Sequence, residues 1–386
     1  MPSRTWFFVA LLLVAANLRA SLTSVGPVLA QIQADLSLSA TAAGLLGSLP
    51  LLMFAVFAPL ARLGARVGNE RMVLGGLMAL MAGILLRSEG QLFALYAGTV
   101  VLGAAIAMTN VLVPALVKQH YPERVPVLTS AYATAMQVFA SLGSGISVPL
   151  ALLLPGGWRG SLASWSALTL IAILFWVPQV RAAPPVQAAA VATAIAPHPP
   201  WRRWLAWQLA GFMGLQSAMF YTAISWYPTY LHDFGYSQAE AGWLMFVYQV
   251  AALLAGMAVP LLIRHVADQR LLALGFAALG FTATAGLWLA PGAAAGWVVL
   301  LGLGAGPSLI LALSFIGLRA GSAGTTAALS LMTQAVGYFI AMLGPLAFGL
   351  VHDLAGGWTA PLLFVLLVST GQALFGLGAG RRAVIP

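Results

Sequence analysis

Stretches of mostly apolar residues alternate along the chain with short polar breaks. Each stretch has about 18 residues or more, enough for an α-helix to cross a ~30 Å hydrocarbon core. Twelve stretches predict twelve membrane-spanning helices, at residues 5–30, 41–62, 71–88, 91–117, 126–152, 160–180, 204–231, 239–262, 270–289, 292–317, 322–350 and 358–380. Residues 181–203 are rich in Pro and Ala, which favours a cytoplasmic linker.

The second half of this pattern repeats the first. Residues 39–46 (SATAAGLL) match residues 237–244 (SQAEAGWL), and the tripeptide Gly-Gly-Trp begins at both Gly156 and Gly356. Pro27 and Gln137 correspond in the same order to Pro228 and Gln334. The repeat predicts an all-α integral membrane protein of two six-helix bundles, related by a pseudo-two-fold axis along the membrane normal. The predicted domains are residues 1–180, the linker 181–203 and residues 204–386.

One charged residue lies near the middle of the first predicted span. Arg19 would cost at least ~2.5–3.5 kcal/mol there unless it faces protein, water or an anion. Helical periodicity places Thr23 on the same face, and roughly opposite lie Asn17, Ser21 and Ser24. The first face is predicted to serve a cavity and the second to hydrogen-bond a neighbouring helix. No other ionisable residue is predicted at comparable depth. Arg19 is therefore predicted to bind an anion through its planar guanidinium, the alternative being that it bonds helix carbonyls and holds the bundle together.

Composition supports the membrane assignment. The chain is 61% hydrophobic and 6% charged, whereas soluble proteins have about 25% charged residues. Its +9 charge is scattered between the spans, which argues against a nucleic-acid partner. With a cytoplasmic N-terminus, 14 of the 17 Lys and Arg residues lie on the inner side and Arg87 and Arg159 on the outer side. This distribution predicts that both termini are inside. The first span has no clear small-residue cleavage site and is predicted to be retained rather than removed as a signal peptide. The expected location is the bacterial cytoplasmic membrane.

The remaining ionisable residues define what chemistry is expected. All eight acidic residues and all five histidines fall in predicted loops or at span ends, so we expect no dedicated proton carrier within the membrane. The chain has no Cys, and it contains no paired carboxylates, metal-ligand spacing or phosphate-binding loop. The sequence therefore predicts neither an enzyme nor a cofactor-binding protein.

Polar and aromatic residues at mid-span complete the predicted substrate site with Arg19 and Thr23. They are Asn110, Gln137, Gln216, Tyr221, Tyr248, Gln334 and Tyr338. Any one of them alone is better explained by an interhelical hydrogen bond, and only the set makes a site. The aromatic pair Trp226 and Tyr227 is predicted to be an interfacial anchor or, less readily, a gate.

Twelve spans in a six-plus-six repeat resemble the Major Facilitator Superfamily. The loop after the second helix in that superfamily usually reads G-x-x-x-D-R-x-G-R-R/K. Arg66 and Gly68 match it, but the first Gly is Ala61 and the Asp is Ala65. The resemblance implies a latch between the bundles through that Asp. Because Ala65 stands where the motif has that Asp, the remaining candidate latch residues are Arg66, Gly68 and Arg71.

Asn-Leu-Arg at residues 17–19, followed by SLTSVGP at 21–27, resembles the cyanate/nitroimidazole transporter family, as does GLLGSLP at residues 44–50. The resemblance implies a secondary transporter of a small anion that is cyanate-like, nitrate-like or a small carboxylate, working by alternating access around Arg19. An exporter of neutral nitro-heterocycles or other small planar compounds is the alternative. A membrane sensor on a transporter fold is a third. The expected partners are the substrate and the lipid bilayer, and the chain is expected to act as a monomer.

Overall fold

A computed structural model describes residues 4–57, 60, 64–182 and 200–385. Apart from one isolated β-bridge, the regular structure of these residues is helical, which confirms the all-α prediction. The α-helices are α1 (Arg4–Thr23), α2 (Val25–Leu36), α3 (Ala40–Phe57), α4 (Gly64–Val67), α5 (Asn69–Arg87), α6 (Leu92–His120), α7 (Val125–Leu153), α8 (Trp158–Ala182), α9 (Trp204–Asp233), α10 (Gln238–His265), α11 (Arg270–Leu289), α12 (Ala294–Leu318), α13 (Ala323–Ala355) and α14 (Thr359–Ala379).

Eleven helical segments of the described chain are long and apolar enough to cross a membrane. The remaining predicted span, residues 204–231, corresponds to α9, which has 30 residues but is not among these eleven. Its Trp, Tyr, Gln and Ser residues lower its mean hydropathy, because hydropathy scales count the polar atoms of these side chains. Most of them are buried against other helices, so α9 is an interior helix.

The chain divides into two units. Unit 1 comprises Met1–Ser37 and Leu49–Ala192, and unit 2 comprises Leu38–Ser48 and Thr193–Pro386. The first half of α3 therefore belongs to unit 2 and its second half to unit 1. Most of the predicted linker lies outside the described residues, and the predicted domain boundaries stay a prediction.

In unit 1, α1 packs against α7 and α8, and α5 packs against α6 and α8. Gly83 and Gly98 allow α5 and α6 to approach closely, because a Cβ atom at either position would collide with the backbone of the other helix. The α1 contacts include a hydrogen bond from the Thr169 hydroxyl to Asn17 Oδ1 (2.6 Å). Asn17 thus binds α8, on the side of α1 that the sequence predicts to face a neighbouring helix.

In unit 2, α9 contacts α10, α12, α13 and α14 and forms the centre of the bundle. The apolar core includes Phe212 and Phe315, whose ring centroids lie 5.5 Å apart. The start of α3 is held by Asp353 at the end of α13. One carboxylate oxygen accepts the Ala40 N–H (2.9 Å) and the other accepts the Thr41 N–H (2.7 Å). This carboxylate caps the helix N-terminus, where unsatisfied N–H groups favour an anion.

The Gly-Gly-Trp repeat has the same structural role in both units. Gly156 and Gly356 have φ of 85° and 67°, the left-handed region that favours glycine. The tryptophan of each motif donates through Nε1 to an aspartate near the end of α2 or of α9. Trp158 binds Asp35 and Trp358 binds Asp233, each at 3.0 Å. The shared tripeptide therefore reflects a shared structural element.

Candidate functional site

The first predicted span is two helices, because α1 ends at Thr23 and α2 begins at Val25. Pro27 has no N–H, so the Thr23 carbonyl lacks its helical donor and instead accepts the Ser144 hydroxyl at 3.3 Å. Arg19 lies on α1 just before this interruption, and its side chain is half-buried. The interruption therefore leaves a backbone carbonyl without its helical donor four residues after Arg19, while Ser24 itself keeps right-handed helical dihedral angles (φ −70°, ψ −19°).

Thr23 is directed into unit 1. Its side chain is buried, and its hydroxyl donates to the Ala140 carbonyl of α7 at 2.7 Å. Gly143, also on α7, lies so close to Thr23 that a Cβ atom there would collide with the Thr23 hydroxyl. Thr23 therefore ties α1 to α7, and a role in contacting substrate stays a prediction.

A second cation, Arg87, lies close to the segment that carries Arg19, which the sequence analysis did not anticipate. Arg87 was predicted on the outer side, but it is the last residue of α5 and only 1% exposed. Its Nη1 donates to the Ser21 carbonyl at 2.7 Å, two residues from Arg19. The apolar pattern missed Arg87 because a charge at the end of a span looks like the start of a loop.

Two further predicted residues of unit 1 are half-buried, Asn110 on α6 and Gln137 on α7. Two of the four acidic groups of this unit bind cationic or imidazole partners elsewhere. Glu70 contacts His120 Nε2 at 2.9 Å, and Asp35 contacts Arg159 at 2.8 Å. The buried polar interior around the α1–α2 interruption is thus cationic.

Unit 2 contains a cavity that is lined by uncharged groups. It measures about 270 Å³, counting its open mouth, and the clear space between its walls is that of about one water molecule. Gln216 and Tyr248, both predicted from the sequence, line it. The rest of the lining is Met219, Phe276, Gly280, Leu301, Gly304, Ala305, Ser308 and Gln372. Two amides, a phenol and a hydroxyl among apolar walls suit a neutral solute with hydrogen-bonding groups.

Ser308 and Gln372 are the cavity residues that the sequence reasoning missed. The Gln372 amide donates to the Ser308 hydroxyl at 2.9 Å, and both side chains are buried. Gln372 is an amide in the interior of an otherwise apolar span, which is the signal that led to Gln216, so it could have been found. Ser308 is a small polar residue in an apolar helix and has no such signal.

Aromatic rings border the same region of unit 2. Phe220 contacts Tyr221 edge to face, with centroids 5.3 Å apart, and contacts Tyr248 at 5.8 Å. On α13, Tyr338 is half-buried, whereas Gln334 is exposed and binds Ser330 on its own helix. The structure thus brings Gln216, Tyr221 and Tyr248 together within unit 2.

The aromatic pair near the end of α9 is not an interfacial anchor. Trp226 and Tyr227 are each 1% exposed. The Trp226 indole donates to the Pro345 carbonyl at 2.9 Å, and the Tyr227 hydroxyl lies 3.3 Å from the Thr284 hydroxyl. The anchor interpretation was wrong because both polar atoms find partners inside unit 2, so neither ring needs the lipid–water boundary.

The candidate latch residues lie near α4 and the start of α5. Gly68 precedes α5 with φ of 101°, and Arg66 and Arg71 are exposed. Ala61 lies outside the described residues. No group of three or more potential metal-ligating side chains is found in the described part of the chain.

Comparisons with known proteins place the chain among transporters. Residues 9–342 match the family model of the Major Facilitator Superfamily. The chain is 42% identical to the 2-nitroimidazole transporter of Escherichia coli (strain K12), over 98% of this chain and 96% of that protein. It is 25% identical to the cyanate transport protein CynX of the same organism, over 96% of each chain. Its fold resembles that of the D-xylose–proton symporter, with a TM-score of 0.76, 13% identity and coverage of 97% and 95%.

Proposed function

The chain belongs to the Major Facilitator Superfamily and is a secondary transporter of that type, and from that premise we propose that it carries small planar nitro-heterocycles across the bacterial cytoplasmic membrane. The observation that carries this proposal is the uncharged cavity of unit 2. Its amide, phenol and hydroxyl groups match the ring nitrogens and nitro oxygens of such a solute, and Phe276 and Met219 offer apolar contact to the ring. The similarity to a 2-nitroimidazole transporter supports this substrate class.

In this proposal Arg19 of unit 1 is a separate contact for such a solute, through the nitro group. A nitro group has two oxygens in one plane, the same shape as a carboxylate, and a guanidinium can donate to both at once. The cavity is narrow, so a ring enters only when its walls move, and Met219 is the most flexible side chain there. We further propose that both termini are cytoplasmic, as the distribution of basic residues predicts, and that transport proceeds by alternating access.

Transport of a small anion is the second candidate. It is favoured by the cationic interior of unit 1, where Arg87 reaches the backbone two residues from Arg19, and by the similarity to a cyanate transport protein. A fixed cation in a low-dielectric interior attracts an anion more strongly than it would in water. In this case Arg19 supplies most of the affinity and the neutral cavity supplies little.

Thermal-shift titration and liposome flux with 2-nitroimidazole, cyanate, nitrate and benzoate test these candidates. A ligand that binds only the folded state raises the melting temperature as its concentration passes Kd. We expect 2-nitroimidazole to stabilise the native protein, Arg19→Gln to weaken that effect, and Arg159→Gln, the matched exposed control, to leave it unchanged. Stabilisation by cyanate or benzoate alone, lost in Arg19→Gln, would favour the anion transporter. No stabilisation and no flux with any of the four would contradict both candidates.

A further inference from the structure

Arg87 is a buried cation that the proposed transport chemistry does not use. Its Nη1 donates to the Ser21 carbonyl at 2.7 Å and its Nη2 lies 3.4 Å from the Ser24 hydroxyl. Its Nε has no hydrogen-bond partner, and no carboxylate contacts it among the residues that the structure describes. Burying a guanidinium without a counter-charge is costly, so such a residue is retained for what it does to its neighbours.

What Arg87 does is compete for a helix carbonyl. In an uninterrupted helix the Ser21 carbonyl would accept the N–H of Val25, four residues later. Here α1 stops at Thr23 and α2 starts at Val25, and the Ser21 carbonyl instead accepts from Arg87 at 2.7 Å and, over a longer distance of 3.3 Å, from the Ser24 hydroxyl. Arg87 of α5 thus occupies the Ser21 carbonyl, which would otherwise accept the Val25 N–H. Without that backbone hydrogen bond the two helices are separate.

The second copy of the repeat serves as an internal control for this effect. Ser24 and Pro27 have counterparts 201 residues later in Ser225 and Pro228, and both belong to α9. Yet α9 runs without interruption from Trp204 to Asp233. The proline alone therefore does not separate the helix. The repeat matches on either side of Arg87 have offsets of 197–200 residues, which place its counterpart within residues 284–287 (Thr-Ala-Gly-Leu), and none of these can supply a charged fork of donors.

Arg19 lies four residues before the end of α1, where the interruption begins. The Thr23 hydroxyl lies 3.3 Å from the Arg19 carbonyl and also binds α7, so the last turn of α1 is held from both sides, by α5 at Ser21 and by α7 at Thr23. We propose that Arg87 is a positioning residue, which holds the α1–α2 interruption open and thereby sets the direction of the Arg19 guanidinium toward the substrate. This inference rests on the proposed role of Arg19 as a substrate contact.

A double-mutant cycle tests the coupling between the two arginines. Arg87→Met removes every donor and is expected to fold, because apolar replacement of a buried ion is often tolerated. We expect it to raise KM for 2-nitroimidazole about tenfold in the native background, with a smaller change in maximal rate, and less than about twofold in Arg19→Gln. Arg87→Lys keeps the charge but not the fork, and we expect it to restore KM only partly. Equal KM increases in both backgrounds would overturn the proposal.

A distance measurement separates this inference from the proposed function. The chain has no Cys, so spin labels at Val9→Cys on α1 and Ala34→Cys on α2 report the interruption without other substitutions. In Arg87→Met the Ser21 carbonyl is available to Val25, and we expect the distance to lengthen as the helix straightens. An unchanged distance would overturn the positioning role. If Arg19→Gln binds substrate normally, the role of Arg19 as a contact fails, while the distance still decides whether Arg87 holds the interruption.

Discussion

The first helix of each repeat carries the pattern Ser-x-x-Pro, as SVGP at residues 24–27 and SWYP at residues 225–228. In unit 1 the pattern coincides with a broken helix, and in unit 2 with a continuous one. The difference lies in the helix packed alongside. From α5, Arg87 donates to the backbone of the first helix, whereas in unit 2 the direction is reversed and Tyr230 of α9 donates to the Leu287 carbonyl of α11 at 2.6 Å. A proline thus weakens a helix, and a competing donor decides whether it breaks.

The same comparison separates the chemistry of the two units. The residue 201 positions after Arg19 is Phe220, which contacts Tyr221 and Tyr248. One copy of the repeat therefore presents a guanidinium and the other presents aromatic rings and amides. Duplicated folds can keep their packing while each copy takes a different part of substrate recognition.

The largest expected effect comes from making the two copies alike. Arg19→Phe places in unit 1 the residue that unit 2 carries at this position. We expect loss of 2-nitroimidazole flux by about 100-fold or more, since removing a charged hydrogen-bonding partner from a buried site costs several kcal/mol. Flux in liposomes measures this, with Val9→Phe on the same helix as the control for added aromatic bulk. Flux near the native level in Arg19→Phe would show that the charge difference between the copies is irrelevant to transport.

A smaller effect is expected from the neutral cavity of unit 2. Gln372→Met keeps the side-chain length but removes the amide that binds Ser308 and lines the cavity. We expect affinity for 2-nitroimidazole to fall about five- to tenfold, the size of one neutral hydrogen bond, with little change for anions. Isothermal titration measures both. Thr370→Val on the same helix is the control, because the Thr370 hydroxyl binds only its own helix at Leu366. Equal losses in both variants would point to α14 stability instead.

The smallest effect concerns an element that the two copies share. Trp158→Phe and Trp358→Phe each remove one indole hydrogen bond to an aspartate, and we expect similar small decreases in melting temperature. For Trp158→Phe this decrease should depend on acid pH. Hydrogen bonds from Arg159 and Trp158 lower the pKa of Asp35 below its ordinary value of 3.8. Their stabilisation is present above that value and lost as the pH falls through the lowered pKa.

Melting curves of both variants and the native protein from pH 7 to pH 3 measure this difference. The native protein and Trp158→Phe should converge at the acid end. If the gap between native and Trp158→Phe is the same at every pH, the carboxylate of Asp35 does not contribute through this contact.

Individual site residues show where the sequence was sufficient. Gln216 and Tyr248 were recognised as polar groups in apolar spans, and they line one cavity. The opposite faces assigned to Asn17 and Thr23 by helical periodicity agree with their bonds to α8 and α7. Arg87 and Ser308 were missed, since a charge at a span end and a hydroxyl in a span carry no mark of burial. Trp226 was misassigned because the same residue type serves lipid interfaces and packed interiors.

The sequence by itself determined the twelve spans and the repeat, because lipid requires long apolar helices and a duplication leaves matching short sequences at matching positions. The transporter class came from the resemblance of those features and of short motifs to a known family. Only the tertiary structure decided which polar groups are used within each unit and which line a cavity. It alone placed Arg87 on the Ser21 carbonyl, which lies 66 residues away along the chain. The reason is physical: helical periodicity gives the direction of a side chain around its own axis, but its partner depends on which helix packs there and at what height.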